Sequence, residues 1–251
     1  MLSKTHTKYI QSLQHKKSRD EAGLFIAEGP KLVPDLLASR NFICKELFAV
    51  KDWFDHNEKL RSKYPGTSFT EVEGFELEKI SALTTPHSVL AVFEKRKPAI
   101  DTTLAGKITL ALDTIQDPGN LGTIIRIADW FGLENIICSP GCADMYNPKV
   151  VQSTMGSLGR VNIIYTNLAH WLKENSKVKI YSASLNGKPL PSLGKLTEGI
   201  IIIGNEAHGI SDEVMELVNE KITIPKTGEA ESLNAAVAAG IIISHVNPLI
   251  R

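Results

Sequence analysis

From Lys107 to Val246 the chain repeats one rhythm: a short apolar run, a polar turn bearing glycine, asparagine or proline, then a stretch with helical spacing. The runs over residues 108–112, 135–138, 161–165, 179–182, 200–203 and 222–224 predict strands that are apolar on both faces, the pattern of a mainly parallel sheet covered on each side. Helices are predicted between them at 121–131 (closed by Gly132), 148–158 (with Pro148 in its first turn), 168–174 and 211–218. A final helix is predicted from Glu231. It opens on Glu231-Ser232-Leu233-Asn234 and continues through Ala235-Ala236-Val237-Ala238-Ala239-Gly240. Ser232 or Asn234 can satisfy the unpaired N–H groups at its start, and the small residues allow another backbone to approach closely.

The earlier part of the chain has a different order. Strands are predicted at 24–27, 46–50 and 88–93, and helices at 31–39, 55–63 and 75–80. Pro34 is tolerable in the first turn of its helix, where the N–H it lacks would have no helical partner. One short amphipathic helix is expected in the opening segment, where Ile10 and Leu13 lie among Lys4, Lys8, Lys16, Lys17 and Arg19. A solvated basic face is its plain reading and an RNA-contacting patch the sharper one. The charged run Glu94-Lys95-Arg96-Lys97-Pro98 marks the expected boundary, giving domains at 1–97 and 98–251.

Composition narrows the class. A chain of 251 residues with 43% hydrophobic and 22% charged positions can bury a proper core, and its formal charge of zero means that any nucleic acid must be held by local patches. Cys44, Cys138 and Cys142 lack metal-site spacing and cannot all pair, which favours a reducing compartment. The opening residues carry no apolar signal core and no run approaches membrane-spanning length, so a cytoplasmic location and no membrane or metal partner are expected.

In parallel sheets of this kind ligands bind beyond the carboxyl ends of the strands. Three stretches fall at such ends: Asp117-Pro118-Gly119-Asn120-Leu121-Gly122 with Arg126, Gly204-Asn205-Glu206-Ala207-His208-Gly209, and Ile224-Pro225 with Ser232-Leu233-Asn234. Neither a dinucleotide glycine fingerprint nor a phosphate-binding P-loop is present, which counts against a nucleotide-linked oxidoreductase or a nucleoside-triphosphate enzyme. No zinc-protease helix pattern and no serine nucleophile elbow occurs. Each stretch has a plain alternative. Gly119 and Gly122 can serve only a tight turn, Arg126 can be a surface residue, Glu206 can cap the helix near Ser211, and His208 can be an exposed loop residue.

Taken in order, the three stretches resemble the three motifs of the SpoU/TrmH ribose methyltransferases of the SPOUT superfamily. Phe25-Ile26-Ala27-Glu28-Gly29 and Thr85-Pro86-His87-Ser88-Val89-Leu90-Ala91-Val92 resemble that family's ribosomal-protein-like RNA-binding domain. The resemblance implies an α/β protein with a small N-terminal RNA-binding domain and a C-terminal SPOUT domain, whose mainly parallel sheet ends in a trefoil knot. It implies S-adenosylmethionine as cofactor, held by Gly204, Asn205, Gly209, Ile224 and Leu233, with Ser184-Leu185-Asn186-Gly187 as a neighbouring loop.

The implied reaction is methyl transfer to a ribose 2′-hydroxyl of structured RNA, ribosomal RNA first and transfer RNA second, by a homodimer. A non-catalytic RNA-binding protein on the same fold is the rival. Arg126 is the implied activating residue. A guanidinium that stays protonated suits phosphate binding and alkoxide stabilisation better than proton abstraction. Asn120 would orient Arg126 or the ribose, Glu206 and Asn234 would hold the loops and the substrate, and Ser232 would anchor the helix start. Lys226 departs from the family's usual methionine, and Ala207-His208 fills a spacer that often carries glycine, so both bear on which RNA is chosen.

Overall fold

The computed structural model describes residues 2–39, 41–96 and 103–247. Its contacts divide the chain into two compact units, Met1–Lys97 with Asp144–Arg160, and Pro98–Ala143 with Val161–Arg251. The Lys97-Pro98 end of the charged run lies outside the described residues.

The first unit is built on a four-stranded sheet of β1 (Leu24–Glu28), β2 (Cys44–Ala49), β3 (Ser68–Glu71) and β4 (Val89–Glu94), in the order β1-β4-β2-β3. β4 runs antiparallel to both neighbours, and β2 pairs with β3 in parallel. The half-exposed edge strand β3 has only Phe69 as an apolar residue, too little alternation to be legible in the sequence. The expected opening helix is two helices, α1 (Lys4–Ser12), capped by the Ser3 side chain, and α2 (Lys16–Ala22), ended by Gly23 at φ +66°.

α3 (Leu32–Ser39) follows β1, as expected. The helix expected at 55–63 is instead α4 (Lys51–Asp55), anchored by buried Trp53 and Phe54, and α5 (Leu60–Lys63). Residues 56–59 between them offer no apolar side chain to hold a continuous helix to the core. α6 (Gly74–Ile80) carries a reciprocal cap, Glu73 with Glu76. Ile10, Leu13, Ile26, Phe48, Leu77, Ile80, Leu90 and Val92 form the core of this unit.

Arg19 departs from its expected place on an RNA-facing surface. It is 1% exposed, donates to the Leu13 and Gln14 carbonyls, and pairs with Asp144 at 2.6 Å. Its charge is committed to holding the chain together, whereas Lys16 and Lys17 remain exposed.

The second unit holds a six-stranded parallel sheet: β5 (Ile108–Asp113), β6 (Asn135–Cys138), β7 (Asn162–Tyr165), β8 (Ile180–Pro189), β9 (Gly199–Gly204) and β10 (Glu220–Thr223), in the order β10-β8-β9-β5-β6-β7. α7 (Pro118–Trp130) begins at the Asp117 cap, whose carboxylate accepts the Asn120 N–H at 2.8 Å. Pro118 sits at the start, where its missing N–H costs nothing.

α8 (Pro148–Ser153) is shorter than expected, because Met155 and Gly156 turn left-handed at φ 49° and 91° and break the helix. This segment groups with the first unit: Asp35 and Ser39 fill the spaces that Cβ atoms on Gly156 and Gly159 would need. α9 (Leu168–Glu174) stands as expected, and α10 (Asp212–Met215) is a single turn.

α11 spans Ala235–Val246 rather than starting at Glu231. Asn234 is the cap: its side-chain oxygen accepts the N–H groups of Ala236 and Val237, which leaves residues 231–234 outside the helix and exposed. Ile200 and Ile202 with Ala111, Ile137, Leu172 and Val214 form the core on one side of the sheet. Among the described residues no helix is long and apolar enough to cross a membrane.

Candidate active site

Three segments, from β8, after β9 and after β10, meet at the carboxyl side of the sheet. The strand β8 supplies the first by an interruption of its ladder. Lys221 pairs with Ser182, but its neighbour Ile222 pairs with Lys188, so residues 183–187 leave the sheet. Ser184, Leu185 and Asn186 are therefore carried out of the strand expected to end at Ser182, and Leu185 is 70% exposed. Gly187 passes so close to β10 that a Cβ there would stand 2.6 Å from the Lys221 carbonyl group.

The second loop follows β9. Asn205 and Gly209 exchange two backbone hydrogen bonds, at 2.9 and 2.8 Å, and fold residues 205–209 into a tight return. Gly209 takes φ +72°, and a Cβ on Gly204 would lie 2.5 Å from the Gly209 carbonyl carbon and oxygen. Only glycine fits at 204. The Asn205 side chain holds the turn from both ends: its oxygen accepts the N–H groups of Ala207 and His208, and its amide donates to the Thr114 carbonyl at 3.0 Å.

Between these loops and the segment from Ile222 to Leu233 lies a cavity of about 740 Å³. All eight residues expected to hold a cofactor line it: Ser184, Leu185, Asn186, Gly204, Asn205, Gly209, Ile224 and Leu233. Glu206 and Ser232, expected in catalysis, also line it. Ile203, Ile210, Met215 and Ile242 add apolar wall that sequence inspection did not single out. Their periodicity marks them as core, and nothing in a core pattern tells a packed face from one that faces a cavity.

Asn120 and Asn234 stand beside it and join the three motifs. The Asn120 amide donates to the Glu206 carboxylate, while its carbonyl oxygen accepts from the Asn234 amide at 2.8 Å. Asn234 in turn spends its oxygen on the start of α11. Every donor meets an acceptor along this line, which fixes the orientation of both amides and aims the Glu206 carboxylate at one place. Ser232 lies outside the helix, exposed, and is not its cap.

Arg126 is the outlier. It is exposed on α7, six residues beyond Asn120, and its side chain makes no hydrogen bond or ion pair to another described residue. At 100° per residue it points well away from Asn120 and shares a face with Thr123 and Trp130. It does not line the cavity.

A cavity of this size with apolar walls, backbone groups in reach and a glycine cradle suits an organic ligand or cofactor more than a bare metal ion. Among the described residues no cluster of histidine, cysteine or carboxylate side chains could hold a metal ion. A parallel α/β sheet with such a cavity at the carboxyl ends of its strands is a ligand-binding domain of the open α/β class.

Comparison with known proteins is specific. The model of the SpoU rRNA Methylase family matches residues 107–244, and that of the MRM3-like substrate binding domain matches 4–91. The 23S rRNA (guanosine(2553)-2′-O)-methyltransferase RlmP of Bacillus subtilis is 34% identical, over 94% of this chain and 93% of its own. Among solved structures, an RNA methyltransferase of the TrmH family from Porphyromonas gingivalis shares 36% identity at a TM-score of 0.84, over 97% of both chains. The AdoMet-bound rRNA methyltransferase from Sinorhizobium meliloti shares 31% at a TM-score of 0.85, over 97% of this chain and 95% of that one. The chain belongs to the SpoU rRNA methylase family. It is an RNA methyltransferase whose cofactor is S-adenosylmethionine.

Proposed function

We propose that this protein transfers the methyl group of S-adenosylmethionine to a ribose 2′-hydroxyl of ribosomal RNA. The observation that carries the proposal is the line from Glu206 through Asn120 to Asn234, set beside a cavity walled by Gly204, Ile224 and Leu233. RlmP, similar along nearly its whole length, is named for 2′-O-methylation of 23S rRNA, which supports ribosomal over transfer RNA.

When bound, the cofactor supplies an electrophilic sulfonium methyl, so the chain's tasks are to hold, align and exclude. Gly204, Asn205, Gly209, Ile224 and Leu233, with Ser184, Leu185 and Asn186, take the adenosine and amino-acid parts by backbone groups and apolar contact. Asn120 and Asn234 hold Glu206 toward the ribose, and Ser232 meets the substrate from the other lip of the cavity. His208 and Lys226, also on its wall, face the RNA and bear on its choice. Arg126 grips the neighbouring phosphate and stabilises the alkoxide as it develops, the hydroxyl proton passing to water and the thioether departing as the oxygen–methyl bond forms.

Arg126 stands away from the cavity of its own chain, and this agrees with action as a homodimer. α7 and α11 pack at Ile127 and Gly240, leaving Trp130 83% exposed on one helix and Val237 and Ile241 exposed on the other. A second copy would cover these side chains and bring its cavity to Arg126. A trefoil knot in the C-terminal part belongs to the same reading. The first unit binds RNA through exposed lysines, Lys16 and Lys17 among them, and the protein works in the cytoplasm.

The test is incubation with methyl-labelled S-adenosylmethionine and ribosomal RNA that lacks the modification. A ribose methyl makes the following phosphodiester bond resistant to alkali, so the label is expected at a single alkali-resistant position. Label on a base, or in transfer RNA alone, refutes the assignment.

A further inference from the structure

The carboxylate of Asp113 ends β5 in an almost closed environment, 3% exposed. It faces no cation. Its Oδ2 accepts two hydrogen bonds from one residue, the Ser211 N–H at 2.8 Å and the Ser211 hydroxyl at 2.7 Å. Its Oδ1 accepts the Thr114 hydroxyl at 3.1 Å. A buried carboxylate held by three neutral donors loses much of its hydration and retains only what those donors return. Such a group persists where its geometry is needed.

What it ties together is the turn after β9. Ser211 closes the 205–211 segment at the start of α10, and Asn205 opens it. Asn205 is held to the same strand end, since its amide donates to the carbonyl of Thr114, the residue after Asp113. Thr114 sits at φ 58°, a left-handed conformation that a β-branched residue avoids. Its N–H donates to the Ser139 hydroxyl at 2.9 Å, so the strained residue is held from the opposite side as well. Both ends of the segment carrying Glu206 and Gly209 are thus pinned to Asp113, the last residue of β5, and to Thr114 just beyond it, and strain is kept at Thr114.

We infer that Asp113 is a positioning residue for the cofactor cavity: with Thr114 it clamps the 205–211 turn in the shape that forms the cavity wall and presents Glu206. The inference rests on the cofactor reading above. Asp113 itself does not line the cavity and needs no contact with the cofactor. The requirement is for acceptors at fixed points rather than for charge. An asparagine can keep its oxygen toward Ser211 and turn its amide toward the Thr114 hydroxyl, which can accept as well as donate.

Calorimetry with S-adenosylmethionine alone, at a temperature where every variant is folded, is the test, together with amide hydrogen exchange. Asp113→Ala is expected to weaken binding at least tenfold and to speed exchange at Ala207, His208 and Ser211, with β7 unchanged. Asp113→Asn is expected to stay within about threefold of wild type on both measures. A role in stability alone would lower the melting temperature of Asp113→Ala and leave both readouts in the folded protein unmoved, which overturns the inference. An Asp113→Asn protein as weak as Asp113→Ala overturns the claim that acceptor geometry is what matters.

Should Asp113→Ala fail to fold, Ser211→Ala removes only the hydroxyl donor. It is expected to bind about threefold more weakly with faster exchange at His208, and wild-type behaviour in both overturns the clamp. If the wild-type protein itself binds no S-adenosylmethionine, the cofactor reading fails and this inference falls with it.

Discussion

Gly204→Ala puts a single methyl group where the backbone of the next turn already lies. The added Cβ would stand 2.5 Å from the Gly209 carbonyl carbon and oxygen and 2.7 Å from Ile210 Cγ1, where ordinary contact begins at 3.4 Å. Relief requires the 205–209 turn to retreat by about 0.9 Å. The paired bonds between Asn205 and Gly209, at 2.9 and 2.8 Å, then stretch beyond hydrogen-bonding range. Losing two such bonds costs roughly 1–3 kcal/mol, and overpacking of a filled site another 1–3 kcal/mol or so.

Because the turn walls the cavity, much of that cost falls on binding. A loss of about 2 kcal/mol in affinity is roughly a thirtyfold rise in Kd for S-adenosylmethionine. Calorimetry measures it directly, and thermal unfolding gives the remainder as a lowered Tm. Gly228→Ala is the control, since nothing lies within 4 Å of a Cβ there and its φ is ordinary. It is expected to bind and melt within error of wild type. A Gly204→Ala protein that binds S-adenosylmethionine as tightly as the control would show that the turn yields freely and that the glycine cradle is not what shapes the site.

Four other outcomes follow from the placement of particular side chains. Arg126→Ala is expected to slow single-turnover methylation by about 2.7–4 kcal/mol with cofactor affinity unchanged, and Arg126→Lys to recover little, since the planar fork is lost. Mixing Arg126→Ala with the cavity-blocked Gly204→Trp restores activity only if Arg126 serves the partner's cavity. Replacing Lys16 and Lys17 together by alanine should weaken RNA binding and flatten its dependence on salt, measured by titration across salt concentrations. Arg19→Ala should instead unfold the first unit readily, losing about 3–5 kcal/mol as Asp144 is left without its partner.

Glu28, 5% exposed, has its carboxyl raised above the ordinary glutamate value by burial, against the opposing bonds from Ser81 and the Ala82 N–H. A raised carboxyl contributes stability below the ordinary value, and that contribution is lost as pH rises through the raised one. Denaturation series should therefore show wild type gaining stability relative to Glu28→Gln as pH falls from neutrality toward about 4.3, and parallel curves would exclude the burial effect.

The strands of the second unit were legible because continuous apolar runs such as Ile200-Ile201-Ile202-Ile203 have few other uses. The cavity residues were legible because the ordered motifs carried them, not because periodicity marked them. Boundaries failed where a side chain rather than a pattern decides. Asn234 takes the cap and leaves Glu231, Ser232 and Leu233 outside α11, and Met155 with Gly156 ends α8 early. Composition also misled about Arg19, because charge counted along the sequence cannot tell a solvated cation from one paired with Asp144, 125 residues away. Asp113 was hidden for the opposite reason: at the end of an apolar strand it reads as the first residue of a polar turn.

The two kinds of site residue are held by different physics. The shape of the cavity wall is set by main chain, forced into place by steric facts: no room for a Cβ at Gly204, five residues of β8 thrown clear of the ladder, and Gly187 against Lys221. Such a wall tolerates changes of side chain and resists changes of backbone. The line from Glu206 to Asn234 is the reverse, three exposed or half-exposed side chains whose orientation depends on each donor meeting the next acceptor. Breaking it at Asn120 leaves the cavity intact and frees Glu206 to turn. On the proposed assignment, cofactor binding and methyl transfer should therefore be separable: substitutions at Gly204 are expected to act on both, and Asn120→Ala to slow single-turnover transfer while calorimetry shows unchanged cofactor affinity.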